Sequence, residues 1–293
     1  MDRESPRGAQ SGAPKHRRAI MAFTVNTNLA SINSISRLNE TNQNLSKTLG
    51  RISSGLRINS AADDAAGLSL AENLSAQQRS VVVAMRNTSD GISLLQTAES
   101  ASSEISNVLK RMRELAVQSS NGTLTSVERS YLQDENDALA LEIERIADST
   151  NFNGLTLLNG TSFDIQVGIF GAAATNQITV TLSDLQASPL GVNSLDISSA
   201  SNAQNVISVI DGALASVNTA RSQMGSGINR LESAFRQLDS YNQNLTAAES
   251  GIRDADFAYE SAQLTKYQVM QQAGVAVLAQ AKNMNASAAA LIG

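Results

Sequence analysis

The residue types that catalysis requires are scarce in this chain of 293 residues. His16 is the single histidine, and there is no cysteine. Ser-His-Asp catalysis, Cys-His catalysis and the H-E-x-x-H zinc motif all need histidine in the body of an enzyme, whereas His16 stands in a basic N-terminal segment. Without cysteine, neither disulfide bonds nor a thiolate metal site can form. The sequence therefore predicts no catalytic residues, no metal site and no enzyme.

Two further patterns could carry chemistry, and both favour a structural interpretation. Asp63 and Asp64 could form a metal-binding or acid–base pair, but adjacent residues on a helix do not face each other. Ser60 and Asp63 match a capping box instead, which predicts a helix that starts near Ala61. The Gly-Ser-Gly pattern at 225–227 lacks the preceding strand and the lysine of a phosphate-binding loop. We therefore expect no cofactor.

Charged residues are distributed unevenly along the chain. The formal net charge is −5, but five bases and two acids lie in residues 1–20, so the remainder carries 17 bases against 25 acids. An acidic body argues against nucleic-acid binding, and no run of about 18 apolar residues could span a membrane. Residues 1–20 are interpreted as a basic disordered tail, an extension upstream of the folded chain, with polyanion binding as the alternative. They are not a signal peptide, because no apolar run follows the charges.

Narrow apolar stripes mark the two ends of the chain. Residues 24–54 carry apolar side chains at intervals of seven on two interleaved positions, as in a coiled coil. These are Leu38, Leu45 and Ile52 on one position, with Ile35 and Leu49 on the other. Residues 254–293 carry a similar stripe that includes Leu264 and Leu278 among many alanines. Neither stripe can be buried by its own helix, so we expect the two segments to pair and then to stack with copies of themselves.

The middle of the chain is predicted to be helical, with one β-hairpin. Helices are expected over 61–120 and from 126, and alternating apolar residues predict a hairpin at about 162–183. Residues 183–204 are interpreted as an irregular connection. A last helical stretch is predicted from 225 to 291, with a break near Gly251. Leu231, Leu238 and Leu245 stand at intervals of seven in it. The predicted fold is mainly α, with a terminal coiled-coil layer of long antiparallel helices and a helical-bundle layer that includes the hairpin.

This organisation predicts four segments. Residues 1–20 form the tail, and 21–60 form the N-terminal half of an inner coiled-coil domain together with a hinge. Residues 61–253 form a rod-like helical domain with the hairpin, and 254–293 form the C-terminal half of the inner domain. Gly55 suits a left-handed helix cap, and no helical signal follows it before Ser60. The hinge residues are therefore expected to be Gly55, Leu56, Arg57 and Asn59.

Several motifs at both ends of the chain resemble bacterial flagellin of the short type, which lacks large variable outer domains. They are Arg51 to Gly67, Asn87 to Ser93, Arg113 to Gln118, Asn151 to Gly154 and Gln271 to Ala281. The resemblance covers residues 21 to about 160 and about 207 to the C-terminus. It implies a subunit that polymerises into the extracellular flagellar filament for motility. A hook–filament junction protein, which has related termini, is the alternative.

The resemblance also implies partners. Copies of the chain would form the filament, and a chaperone would hold the C-terminal segment during type III export. Filament cap and junction proteins would be further partners. The family pattern implies that Arg111, Leu115 and Glu135 contact the vertebrate innate-immune flagellin receptor. The alternative for this surface is a solvated helix face with i,i+3 ion pairs that serves subunit packing only.

Overall fold

We describe a computed structural model, which covers residues 27–171 and 174–290, with side chains described up to residue 283. Its elements include α1 (Leu29–Ser54), α2 (Ala65–Ser119), α3 (Ser126–Ser149), α4 (Ala200–Arg253) and α5 (Phe257–Ala290). Four short strands lie between α3 and α4, namely β1 (Asn151–Phe152), β2 (Leu155–Thr156), β3 (Ser162–Gln166) and β4 (Gln177–Thr181). The mainly α fold with a small β-hairpin, predicted from the sequence, is confirmed. The chain divides into two compact units, which are Met1–Asn59 with Ala255–Gly293, and Ser60–Asp254.

The core of the second unit lies where α2 packs along α4. Every seventh residue of α4 is buried over six successive positions, from Ile210 to Leu245. Small buried residues at Ala213 and Ala220 lie between them, and small residues let helices approach closely. Leu95, Ile105, Leu109 and Met112 are among the fully buried residues of α2 in the same core. The heptad period that the sequence predicted for Leu231, Leu238 and Leu245 thus runs through α4 and forms its buried stripe.

Three helix boundaries differ from the prediction. The last helical stretch, expected from 225, begins at Ala200, because Ser199 is its N-cap and accepts a hydrogen bond from Asn202 N. The helix expected near Ala61 begins at Ala65, because Asp64 is the N-cap and its carboxylate accepts a hydrogen bond from Gly67 N at 2.9 Å. Asp63 accepts hydrogen bonds from the N–H and hydroxyl of Ser60, so it closes the preceding turn. The break expected near Gly251 lies at residues 254–256. A glycine inside a helix is tolerated at a small cost, so the cap residues decide where the helix ends.

Residues 182–199 have an irregular backbone as predicted, but they do more than connect. Several of their apolar side chains are buried against the second unit's core, namely Leu182, Leu185, Ala187, Leu190, Val192, Leu195 and Ile197. Side chains of α3 bind the backbone of this segment. Glu144 accepts from Ala187 N at 2.8 Å, and Gln133 both accepts from Ile197 N at 2.6 Å and donates to Leu195 O at 2.8 Å. The segment is therefore a packed strap, which we call the α3 strap.

The predicted hairpin is present, and a smaller hairpin precedes it. β3 and β4 pair antiparallel with Ile165 opposite Ile178. β1 and β2 pair across a two-residue turn in which Asn153 has φ 52° and Gly154 has φ 80°. Positive φ at both central residues is the geometry of a type I′ turn, which Asn-Gly favours.

Gly91 lets the larger hairpin lie directly on α2, and this predicts a destabilising substitution. A methyl group at Gly91 would collide with Cδ1 of Ile165, which is itself nearly buried. We expect Gly91→Ala to lower the free energy of unfolding by about 1–3 kcal/mol, the usual cost of an overpacked core. Urea-induced unfolding monitored by circular dichroism measures the change.

Gly212→Ala in α4 is the matched control, since a Cβ there meets no atom within 4 Å. It should leave stability unchanged or raise it by about 0.5–1 kcal/mol through helix propensity. Adding Ile165→Val to Gly91→Ala removes the colliding atom and should restore part of the loss. Equal stability of Gly91→Ala and the wild type would show that the hairpin does not lie tightly on α2.

Candidate functional site

The helices α1 and α5 of the first unit are joined by polar contacts at three levels. Asn28 Nδ2 donates to Ala281 O at 2.9 Å, and Gln271 Nε2 donates to Asn42 Oδ1 at 2.8 Å. Arg51 forms an ion pair with Glu260 at 3.2 Å, in which Glu260 is almost completely buried. Because the partner number falls from 281 to 260 as the α1 number rises, the helices are antiparallel. Asn42, which stands seven residues from both Ile35 and Leu49 in the heptad pattern, binds across the pair and thereby specifies its register.

The seam between these helices uses only part of the predicted stripe. Leu38, Leu45 and Ile52 are half-buried, and so are Leu264 and Leu278 on α5. The interleaved buried residues of α1 are Thr41 and Thr48, which are 6% and 4% exposed. Ile35 and Leu49 are 45% and 47% exposed and do not fill this seam. Thr41 and Thr48 are seven residues apart in the sequence. Because threonine is polar, the apolar pattern did not indicate that they lie in the seam.

Close approach between the two helices is possible at Gly274. A Cβ built there would lie only 3.3 Å from Cδ1 of Leu38. Gly274 lies within the C-terminal motif from Gln271 to Ala281, so the glycine of that motif has a packing reason in this fold. A side chain at this position would require Leu38 Cδ1 to shift by a few tenths of an ångström.

A large set of apolar side chains on α1 and α5 remains exposed. We call them the exposed terminal set: Leu29, Ile32, Ile35, Leu49, Phe257, Tyr259, Val269, Met270, Val275 and Val277. Isolated apolar residues on a surface are normal, but this many on two paired helices mark an interaction surface. At these ten positions the side chains are apolar, although each is exposed in the isolated chain. The first unit therefore presents a surface suited to association with another apolar surface.

The residues predicted to form a hinge follow directly after α1. Gly55 has φ 72°, its N–H donates to Arg51 O at 2.9 Å, and its carbonyl accepts from Ala255 N at 2.9 Å. The predicted left-handed cap at Gly55 is confirmed. Leu56 is half-buried, while Arg57 and Asn59 are exposed. Ile58, which the sequence analysis did not single out, is the buried residue of this segment.

Arg111 and Glu135 are in direct contact in the second unit. Nε of Arg111 lies 2.9 Å from Oε1 of Glu135, and the Arg111 guanidinium also binds Glu114 at 3.1 Å. The hydrogen bond to Glu135, followed by that to Glu114, raises the pKa of Arg111 above its ordinary value. Both Arg111 and Glu135 side chains are about half exposed. Arg111 and Glu135, which the resemblance assigns to one receptor contact, therefore lie together on an accessible surface.

Leu115 does not share that surface. Its side chain is 0% exposed and belongs to the core between α2 and its neighbours. The expectation that Leu115 offers a surface contact is therefore wrong for the chain by itself, because helical spacing turns it toward the core with Leu109 and Met112. Val117, two residues later, is the exposed apolar side chain of this part of α2.

The remaining surface offers no sign of other chemistry in the described residues. In residues 27–171 and 174–283, no group of three or more His, Cys, Asp or Glu side chains is arranged to hold a metal ion. None of the helices in the described part of the chain has the length and apolarity to cross a membrane.

Comparisons with known proteins match both ends of the chain. The family model described as "Bacterial flagellin N-terminal helical region" matches residues 25–162, and "Bacterial flagellin C-terminal helical region" matches 207–292. The chain is 44% identical over 259 residues to a flagellin of Halalkalibacterium halodurans, covering 88% of this chain and 95% of that protein. It is 40% identical over 291 residues to a flagellin of Bacillus subtilis, with the same two coverages.

A solved structure titled "Structure of putative flagellar hook-associated protein from Vibrio parahaemolyticus" matches with a TM-score of 0.55. It is 17% identical, and the match covers 66% of this chain and 100% of that one. At this identity the match shows a shared fold and nothing about function. The two family models together match most of the chain, and the identity to the two flagellins extends over nearly their full length. This chain belongs to the bacterial flagellin family.

Proposed function

We propose that this chain is the structural subunit of an extracellular bacterial flagellar filament, and that the exposed terminal set is its contact with other copies. The observation that carries the proposal is the exposure of so many apolar side chains on the paired helices α1 and α5. Family membership supports the filament as the assembly in which they are buried.

The energetics of this contact favour a polymer. Full burial of one large aliphatic side chain contributes about 1.5–3 kcal/mol, and the exposed terminal set has ten apolar members. Its members are 44–67% exposed, so burial of the whole set contributes about half of the full values, or about 8–15 kcal/mol. Association costs about 4–15 kcal/mol in lost freedom, so most of the set must be buried to offset that cost. Asn42, Gln271 and the Arg51–Glu260 pair hold α1 and α5 in one register. Each subunit would thus present the same surface to the next.

Further partners follow from the same proposal. An export chaperone would bind α5 before secretion, because α5 carries much of the exposed terminal set. Filament cap and junction proteins would meet the same surface at the ends of the polymer. The role is structural, and the described residues suggest no catalytic group that would add turnover to it.

The alternative, a hook–filament junction protein, differs in whether the chain elongates into a polymer. A filament subunit adds to itself without limit, whereas a junction protein adds only a short layer. The near-complete coverage of two flagellins supports the filament subunit.

Electron microscopy of purified protein tests the assignment. The full-length chain is dissociated by heat and then salted out, with and without filament seeds, beside a chain that begins at Met21. Long uniform filaments are expected from the chain that begins at Met21, and filaments from the full-length chain would show that residues 1–20 are tolerated. Absence of filaments from both chains, with seeds present, would contradict the filament role.

We further propose that Arg111 and Glu135 form a contact for the vertebrate innate-immune flagellin receptor. Their exposure and their direct ion pair support an accessible, preorganised polar surface. We expect Arg111→Asp to abolish receptor activation, because it places a third carboxylate beside Glu114 and Glu135 and removes the guanidinium. A reporter assay with monomeric protein measures this.

Arg145→Asp is the matched control for this test. Arg145 also lies exposed in an ion pair with a carboxylate three residues away, Glu142, but on α3. It should activate the receptor as the wild type does, and neither substitution should change the thermal unfolding noticeably, since exposed ion pairs contribute little. If Arg111→Asp activates the receptor normally, this surface serves subunit packing only.

A further inference from the structure

The chain contains three Asn-Gly dipeptides, and this pair of residues can modify itself. The amide nitrogen after an asparagine can attack the side-chain carbonyl carbon and form a five-membered ring, and glycine is the following residue that hinders this least. The pairs are Asn121–Gly122, Asn153–Gly154 and Asn159–Gly160. Two of them, at 121 and 159, share the same tripeptide Asn-Gly-Thr, so any difference between them is due to the fold.

Asn121 and Gly122 lie exposed in the turn between α2 and α3. A Cβ at Gly122 would meet no atom within 4 Å, so no neighbouring group shields the Gly122 nitrogen. The Gly122 N–H donates no hydrogen bond within the described residues, so the nucleophilic nitrogen has no bond to break. Water and hydroxide reach the pair directly.

Two hydrogen bonds polarise the reacting atoms of Asn121. The Arg129 guanidinium donates a hydrogen bond to the backbone carbonyl of Asn121 at 2.7 Å. A second hydrogen bond, from Arg129 Nε to Ser119 O at 2.8 Å, fixes the position of the guanidinium. A cation on this carbonyl withdraws electrons from the peptide whose nitrogen belongs to Gly122, which makes that N–H more acidic. Thr123 N donates to Asn121 Oδ1 at 3.2 Å, where negative charge develops during the attack.

The other two pairs lie at strand pairings instead of in a turn between helices. Asn153 and Gly154 form the two-residue turn between β1 and β2, with both residues fixed at positive φ by the paired strands. Asn159 forms a β-bridge with Asp184, and a Cβ at Gly160 would lie 3.5 Å from that residue. Asn159 Oδ1 also accepts a hydrogen bond, from the Thr161 hydroxyl at 2.9 Å. A Cβ at Gly154, like one at Gly122, would meet no atom within 4 Å. What distinguishes Asn121 from both other pairs is therefore the guanidinium on its backbone carbonyl.

We propose that Asn121–Gly122 is a site of spontaneous deamidation that the fold accelerates. Hydroxide removes the proton of Gly122 N–H, and the nitrogen attacks Cγ of Asn121 to form an N–Cγ bond. The Cγ–Nδ2 bond then breaks, and Nδ2 leaves as ammonia after it takes a proton from water. Water opens the resulting succinimide at either carbonyl and leaves aspartate or isoaspartate at position 121. One water is consumed, one ammonia is released, and nothing is oxidised or reduced.

The product carries a new carboxylate beside Arg129, close to the N-terminus of α3. Aspartate has the shape of the asparagine that it replaces, and its Oδ1 can keep the hydrogen bond from Thr123 N. The aspartate form therefore fits the fold. The isoaspartate form adds a methylene to the backbone between α2 and α3.

Peptide mapping of the full-length chain tests the proposal. The folded protein and the same protein in concentrated urea are incubated at mildly alkaline pH, and aspartate and isoaspartate peptides are quantified at positions 121 and 159. We expect Asn121 to react about tenfold faster than Asn159 in the folded chain, a ratio that corresponds to ~1.4 kcal/mol in activation free energy. In urea the two Asn-Gly-Thr sites should react at the same rate.

Two variants separate the causes. Gly122→Ala should slow the reaction at Asn121 without disturbing the fold, since its Cβ meets no neighbour. Arg129→Gln should lower the rate at Asn121 toward that of Asn159, whereas Arg145→Gln on the same helix should leave it unchanged, with circular dichroism used to verify folding. The proposal is overturned if Asn121 reacts no faster than Asn159 in the folded chain. An unchanged or higher rate in Arg129→Gln would overturn the role of the guanidinium.

Discussion

Leu49→Asp is expected to abolish polymerisation while the monomer keeps its fold. Leu49 is 47% exposed on α1 and takes no part in the seam with α5, so the isolated chain loses little when it is replaced. In the filament the same side chain would be buried. Because Leu49 is 47% exposed in the single chain, its replacement removes about half of the ~1.5–3 kcal/mol of full burial. It also adds the larger cost of burying an ionised carboxylate.

This loss of association free energy applies to every subunit that is added. Because each 1.4 kcal/mol changes an equilibrium constant about tenfold, the concentration needed for elongation should rise by more than about a hundredfold. Sedimentation of seeded reactions, followed by electron microscopy of the pellet, measures the effect. Circular dichroism of the supernatant should match that of the wild-type monomer.

Ser36→Asp is the control for charge. It adds the same carboxylate at an exposed polar position of α1 and should elongate far better than Leu49→Asp. If both variants fail equally, added charge rather than lost apolar contact explains the result. If Leu49→Asp elongates normally, Leu49 is not a contact residue between subunits.

The second large effect is expected at Leu115, where stability and recognition can be told apart. Leu115 is fully buried in the core around α2, so Leu115→Ala should lower the free energy of unfolding by about 2–5 kcal/mol. Val117→Ala, at an exposed position of the same helix, should change it by no more than about 0.5 kcal/mol. Urea-induced unfolding of the full-length chain measures both.

Receptor assays on the same variants decide the role of Leu115. At temperatures where Leu115→Ala remains folded, it should activate the flagellin receptor as the wild type does, because its side chain does not reach the surface. A folded Leu115→Ala protein with weak activation would mean that the receptor draws this side chain out of the core.

The features predictable from the sequence were those with a strong period. The sevens through Leu38, Leu45 and Ile52 mark the half-buried seam of α1, and those through Leu231 and Leu238 mark the buried stripe of α4. The alternation around Ile165 and Ile178 correctly predicted the larger hairpin. These patterns succeed because burial of one face repeats with the period of the element.

The missed features depend on polar side chains in specific partnerships. Thr41 and Thr48 occupy the seam between α1 and α5 although their type suggests a surface. Ser60 and Asp63 matched a capping box, yet the neighbouring Asp64 caps the helix, and spacing alone does not distinguish the two carboxylates. Such choices depend on tertiary contacts that a local pattern does not contain.

The α3 strap shows the same limit on a larger scale. Its composition, rich in Ser, Asn and Asp, indicates a loop, while Leu185, Leu190 and Leu195 are buried. Their spacing of five residues matches the period of neither a helix nor a strand, so no periodic pattern in the sequence indicates that they are buried. The backbone of the strap is held by α3, through Glu144 and Gln133, which lie over forty residues away in sequence.

The hydrogen bonds between α3 and the α3 strap leave a position in the strap where foreign residues could be inserted. Glu144 holds the half that precedes Val192, and Gln133 holds the half that follows Ser194. Between these anchors Asn193 and Ser194 are exposed, so added residues would leave from the surface without loosening either half. The entropic cost of lengthening such a loop grows only slowly with its length. A peptide antigen inserted between Asn193 and Ser194 would be displayed once per subunit, and a filament would turn that single insertion into a regularly spaced, multivalent array.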